Sequence, residues 1–177
     1  KKYAKLAYNA ASEAITLLKN KDDLLPIKIK DNPKILVTGP NGNNMRTLNG
    51  AWTYSWQGEK TDQFAGNFNT IFEAFSNTYG KKHVKYVPGV SYVDDGQYFE
   101  MQEDDINKAV LEAKKSDYVI LCLGENTYTE KPGDLNDLNL HKLQLKLAKE
   151  LSSCGKPIIL VLNLGRPRII SQIESGM

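Results

Sequence analysis

Histidine and cysteine are scarce, with two of each in 177 residues. His83 and His141 leave almost nothing from which to build a multi-histidine metal centre or a Ser/His/Asp triad. Both read as surface residues, His83 ahead of a strand and His141 in the first turn of a helix. Cys122 and Cys154 have no metal-type spacing and are too few for a disulfide framework. Cys122 lies inside an apolar run, where it packs as a small hydrophobe. Charge of one sign is also lacking. The formal net charge is +2, and the basic residues are scattered (Lys81-Lys82, Lys114-Lys115), whereas nucleic-acid binding needs a concentrated patch. No apolar run approaches the ~20 residues that span a bilayer. Neither nucleic acid nor a membrane is therefore an expected partner. Nothing at the start resembles a signal peptide, because no uninterrupted apolar segment follows Lys1-Lys2-Tyr3; the chain reads as one cut from something longer. Internal repeats and low-complexity linkers are absent too.

What is present is an ordinary globular composition, 41% hydrophobic and 25% charged, in a chain long enough for one domain with a real core. Ala7, Ala10, Ala11, Ala14, Leu17 and Leu18 repeat at helical spacing and predict a helix over 3–19. Strands are predicted over 34–38, 84–87, 118–123 and 157–162, the last two apolar throughout. Between them lie helical patterns. Thr61 is placed to cap a helix with Phe64, Phe68, Ile71, Phe72 and Phe75 on its apolar face. A second helix has Ile106, Ala109, Val110 and Ala113 inward, led by the acidic residues Glu103, Asp104 and Asp105. A third carries Leu140, Leu143, Leu147 and Leu151. Residues 90–102 read as a surface loop. Strands alternating with helices, some wholly apolar, describe an α/β fold: a three-layer sandwich with a mainly parallel sheet and helices on both faces. Right-handed crossovers then put the loops after Thr38, Leu123 and Leu162 on one edge of the sheet, within reach of one another.

Ligands of such sheets are handled at the carboxyl ends of the strands, and three loops there stand out. The first, over 39–44, bears glycine but has neither a GxGxxG nor a GxxxxGK[ST] pattern, so a nucleotide-binding α/β domain is weakly supported. The second, over 49–58, holds Trp52, Tyr54 and Trp56 between glycines. Exposed aromatics need a partner, and an indole matches the apolar C–H face of a sugar ring; the expectation is one indole buried and one presented to ligand. The third, over 124–134, carries Glu125, Glu130 and Asp134. Glu130 is the candidate proton-transfer group. Glu125, directly after the strand, competes for that role or fixes the loop by bonding to backbone amides. Asp134 is expected to do structural work, capping the turn towards Leu140. A non-catalytic carbohydrate-binding module using the aromatic loop remains an alternative.

Several motifs, taken in order, resemble glycoside hydrolase family 3. These are Ala14-Ile15-Thr16-Leu17-Leu18-Lys19-Asn20, Leu24-Leu25-Pro26, Gly39-Pro40, Ala51-Trp52-Thr53-Tyr54-Ser55-Trp56-Gln57-Gly58, Gly124 to Asp134 and Gly165-Arg166-Pro167. They are similar to the second domain of its β-glucosidase and exo-β-glucanase branch. One local departure is Gly50-Ala51-Trp52, where the family has Gly-Gly-Trp. The resemblance implies a domain that packs on a preceding (β/α)8 barrel. Residues 1–27 would be a leading helix and linker from that barrel, and 28–177 an α/β sandwich domain that stops before the family's last strands. It also implies a retaining mechanism without metal or organic cofactor. The barrel supplies an aspartate nucleophile; Glu130 is the acid/base, and Trp56, with Trp52, forms part of the sugar wall. A β-linked glucoside or oligosaccharide would be the substrate, a periplasmic or secreted location would follow, and this chain alone would be inactive.

Overall fold

The computed structural model describes residues 2–177. Lys1, where the expected leading segment begins, lies outside them. Four parallel strands form the central sheet in the order β2-β1-β5-β6: β1 (Ile35–Thr38), β2 (Val84–Tyr86), β5 (Tyr118–Gly124) and β6 (Ile158–Asn163). Because side chains alternate along a strand, each strand feeds two cores. Leu36, Val119, Leu121, Leu123 and Ile158 point to one face. There they pack against α4 (Ile106–Lys114) and α5 (Lys142–Ser152) through Ala109, Ala113, Leu147 and Leu151. Ile35, Val37, Ile120 and Cys122 point to the other, where α3 (Ile71–Tyr79) covers them with Ile71, Phe72 and Phe75. The register agrees: Leu36 stands beside Val119, and Val37 beside Ile120. The mainly parallel α/β architecture with helices on both faces is as the hydrophobic pattern predicts.

Four expectations are corrected. The first helix, α1, runs Lys2–Ala14 and stops there. From Tyr3 onward its side chains are exposed, including the alanine stripe. The phenylalanine-rich segment is two helices, α2 (Thr61–Phe64) and α3. Thr70, not Thr61, starts the long one: its hydroxyl accepts from the Glu73 amide while Glu73 returns a bond to the Thr70 amide, a reciprocal cap. Phe64 and Phe68 are consequently left exposed. Residues 90–102 are not simply surface. Val90–Tyr92 (β3) pairs antiparallel with Met101–Glu103 (β4), with Val90 and Tyr92 buried. A three-residue alternation next to Pro88-Gly89 was too short a signal. Finally, His141 is half-buried and caps α5, its Nδ1 accepting from the Leu143 amide at 3.2 Å. Asp134, the residue expected to do this, is exposed and its side chain makes no hydrogen bond among the described residues.

Candidate active site

The carboxyl edge of the sheet is tightly drawn together. Gly39 (φ 92°) and Gly124 (φ 147°) lie where a Cβ would strike the carbonyls of Cys122 and Asn163 on neighbouring strands, so only glycine fits either position. Gln144 of α5, almost fully buried, locks the end of β5: its side chain accepts from the Gly124 amide and donates to the Gly124 carbonyl, both at 2.8 Å. Asn41, also buried, takes the Tyr92 hydroxyl at 2.9 Å and ties the first loop to the hairpin. Burial holds the Tyr92 phenol neutral, its pKa raised well beyond the ordinary tyrosine value.

From this platform the acidic loop leaves in two stages. At its base Glu125 is buried, with 8% of its surface exposed. Its carboxylate accepts from Arg168 Nη1 (3.0 Å), the Gly165 amide (3.1 Å) and the Tyr128 hydroxyl (3.1 Å), with Arg166 Nε at 3.6 Å. The Arg166 guanidinium lies over the Tyr128 ring, 4.0 Å from its centre, and donates to the Tyr128 hydroxyl at 2.5 Å. Burial opposes the Arg166 charge, but the hydroxyl of Tyr128 and the carboxylate of Glu125 outweigh it, and its pKa is raised. Every oxygen of Glu125 is thus committed to holding the loop to the segment after β6.

At the tip the opposite holds. Glu130 is exposed, and its carboxylate has no hydrogen-bond or ion-pair partner among the described residues. Its backbone, however, is fixed on both sides. The Gln57 side chain accepts from the Thr129 amide (3.0 Å) and donates to the Thr129 carbonyl (3.2 Å). After Glu130 the chain closes a tight turn, Gly133 N–H to Glu130 O (2.8 Å), and the Gly133 carbonyl is held by Arg166 Nη2 at 2.6 Å. Glu130 itself sits at φ 56°, ψ −154°, a region that side-chain-bearing residues rarely enter and that costs roughly 1–3 kcal/mol. A strained residue on a pinned backbone with a free carboxylate is suited to presenting that carboxylate outward.

The aromatic loop meets the acidic loop at this tip. Thr127 is the junction: Arg46 Nε donates to its hydroxyl (2.8 Å), and that hydroxyl donates to the Gln57 carbonyl (2.5 Å). The Trp52 amide closes back on the Trp56 carbonyl at 2.9 Å. Both indoles are presented, Trp52 68% and Trp56 45% exposed, which corrects the expectation that one would be buried. Trp52 and Tyr54 both have positive φ, and the turn they make aims rings outward instead of under the loop. An open cleft of about 1000 Å³ runs between this loop and the hairpin, lined by Arg46, Gln57, Tyr92, Asn126, Thr127 and Pro132. It borders the tip of the acidic loop without including Glu130, Trp52 or Trp56. Among the described residues no group of three or more His, Cys, Asp or Glu side chains is placed to hold a metal ion, and no helix is long and apolar enough to cross a membrane.

Set against known proteins, residues 15–176 match the family model described as the glycosyl hydrolase family 3 C-terminal domain. The chain belongs to that family. A lysosomal β-glucosidase from Dictyostelium discoideum is 33% identical over 90% of this chain and 19% of its own. A periplasmic β-glucosidase from Salmonella typhimurium is 27% identical over 93% of this chain and 22% of its own. The fold is likewise similar to a solved β-glucosidase from Listeria innocua, with a TM-score of 0.74 and 25% identity over 96% of this chain and 21% of that one. It is similar as well to an exo-1,3/1,4-β-glucanase from a Pseudoalteromonas species, with a TM-score of 0.75 and 26% identity over 97% of this chain and 19% of that one. This family 3 domain spans about a fifth of the length of the proteins it matches.

The sequence pattern singled out Glu130, Trp52 and Trp56, and the structure brings the Trp56 and Glu130 loops into direct contact. It missed Arg46, Gln57, Gln144 and Arg168, which hold them. Only Gln57 and Arg168 had a local signal, Gln57 inside a quoted motif and Arg168 directly after one; Arg46 and Gln144 are recognisable only once the fold sets them beside Thr127 and Gly124.

Proposed function

We propose that this domain supplies the acid/base glutamate and part of the sugar wall of a retaining β-glucosidase-type hydrolase. The active site is shared with a (β/α)8 barrel of the same parent chain. The observation that carries the proposal is the state of Glu130: its backbone is clamped on both sides and its carboxylate is unengaged and exposed. Glu125, by contrast, is fully occupied by arginines and an amide, which leaves Glu130 as the proton-transfer group. Trp56, with Trp52, offers apolar faces for the C–H surface of a sugar.

Retaining hydrolysis needs a second carboxyl group roughly 5–5.5 Å from the first. With Glu125 committed, this domain offers no nucleophile beside Glu130, and the family resemblance implies that it is an aspartate of the barrel. That aspartate attacks the anomeric carbon, the glycosidic C–O bond breaks, and the Glu130 proton passes to the departing oxygen. The Glu130 carboxylate then takes a proton from water as that water cleaves the glycosyl ester. None of these steps calls on a metal or organic cofactor. A partner domain is further supported by the leading segment, whose Leu6, Ile15, Leu17 and Leu18 are 55–81% exposed; apolar side chains in such number mark an interaction surface. In this reading residues 1–27 connect to the barrel, and the substrate is a β-linked glucoside or oligosaccharide. The location is periplasmic or secreted, in keeping with relatives named lysosomal and periplasmic.

The test is Glu130→Gln in the two-domain enzyme. It should lower turnover of β-glucosides with poor leaving groups by about 10²–10⁴-fold, the usual worth of a positioned acid, and spare the first step on a dinitrophenyl glucoside. Equal loss on both rejects the acid role. The 177-residue chain alone should not hydrolyse an aryl β-glucoside; turnover by it would overturn the shared site.

A further inference from the structure

The hydrogen bonds that join the two loops of the site meet at one residue, Gln57. Gln57 follows Trp56 directly, and Thr129, the residue it grips, precedes Glu130 directly. The Gln57 carboxamide accepts from the Thr129 amide at 3.0 Å and donates to the Thr129 carbonyl at 3.2 Å. It acts as a peptide group in a one-rung ladder between loops that are otherwise remote in sequence. Its own carbonyl is held by the Thr127 hydroxyl, which Arg46 Nε holds in turn. The main-chain spacing between the Trp56 and Glu130 positions is therefore set across this rung. Both partners are only half-buried, so water can satisfy the Thr129 groups if the rung is removed. The fold then survives while the two loops lose their common reference.

We propose that Gln57 is a positioning residue that couples the sugar wall to the proton-transfer carboxylate, fixing Glu130 relative to a glycosidic oxygen above Trp56. The inference rests on the reading of Glu130 given above. The rung needs one donor and one acceptor in a single planar group. Gln57→Glu keeps size and acceptor but loses the donor at neutral pH, and its ionised carboxylate would face the Thr129 carbonyl. Gln57→Ala loses both. A displacement of about 1 Å at a reacting group is worth up to about 100-fold in rate.

The experiment makes Gln57→Ala and Gln57→Glu beside Glu130→Gln in the two-domain enzyme, comparing oligosaccharide or alkyl β-glucosides with a dinitrophenyl glucoside. Both Gln57 variants should lose about 10–100-fold in kcat/KM on the poor leaving groups and less than about threefold on the activated one. In the Gln57→Glu variant, acidic pH should restore part of the loss, since the protonated carboxyl regains the donor. Equal loss on all substrates assigns Gln57 a structural role and overturns the proposal. Leaving-group dependence lost for Glu130→Gln as well would instead reject the role of Glu130. Amide exchange in the 177-residue chain provides a readout free of catalysis. In Gln57→Ala the Thr129 amide should exchange about tenfold faster while Leu121 in β5 is unchanged, the signature of a local opening. An unaltered Thr129 rate also overturns the coupling.

Discussion

Glu125 and Glu130 are the same residue type, five positions apart on one loop, and their surroundings differ in every respect. Glu125 is buried, and each of its oxygens meets an arginine, a hydroxyl or an amide. Glu130 is exposed, with a pinned backbone and a carboxylate that is unengaged among the described residues. A buried ion pair holds structure, because removing one partner strands the other. An unengaged carboxylate on fixed backbone holds almost nothing and is free to exchange a proton. In the proposed reading the loop divides the two duties of an active-site acid, placement and chemistry, between two glutamates.

Separate substitutions should break this comparison cleanly. Glu125→Ala strands the Arg168 guanidinium, 11% exposed, and part of Arg166, and should destabilise the chain by about 3–5 kcal/mol in urea unfolding. That is a large share of the ~5–15 kcal/mol expected for a domain. A loss no larger than that of a surface substitution would mean that Glu125 is not the strut. At Glu130 the sign reverses. Glu130→Gly removes the side chain from a backbone conformation that glycine tolerates (φ 56°), and should stabilise the chain by about 1 kcal/mol while removing the proposed proton donor. A destabilised glycine variant would show that the carboxylate makes contacts the comparison denies it.

A smaller effect lies on α5, which presents Gln144 to the base of the loop. His141 caps it by accepting at Nδ1, so the cap needs the imidazole unprotonated. Burial, and then the charge of Lys142, lower its pKa below the ordinary value. A lowered folded pKa means that the cap's contribution is present above about pH 6.5, the unfolded value. It is lost as pH falls through the folded value. The unfolding free energy from urea titrations should therefore fall by up to about 1 kcal/mol between pH 7.5 and 5.5. In His141→Asn, whose amide oxygen caps at any pH, this fall should vanish. Its persistence would place the titration elsewhere.

The parallel strands, their cover on both faces and the sheet edge that carries the candidate site were legible because Leu36, Val119 and Ile120 alternate or run apolar over enough residues to declare their faces; the strand order β2-β1-β5-β6 was not. Trp52, Trp56 and Glu130 stood out because two loops spend many aromatic and acidic residues on solvent, but only the family resemblance put Glu130 forward as the acid/base. What failed was short or tertiary. Three residues of β3 carry too little periodicity, and Thr70 caps a helix whose true start lies inside a longer phenylalanine pattern. The exposure of both indoles depends on positive φ at Trp52, which no residue type there announces. Arg46 and Gln144 act through partners 81 and 20 positions away, distances over which a single sequence carries no signal.

The most direct measurement of the division between the two glutamates is azide rescue of Glu130→Ala in the two-domain enzyme, with a dinitrophenyl β-glucoside as substrate. Without the base, the glycosyl-enzyme ester accumulates because water is no longer activated; azide needs no base and attacks the anomeric carbon itself. Turnover should rise with azide concentration and release β-glucosyl azide, while Glu125→Ala shows no such rescue. Failure of azide to accelerate Glu130→Ala, or rescue of Glu125→Ala in its place, would contradict the assignment.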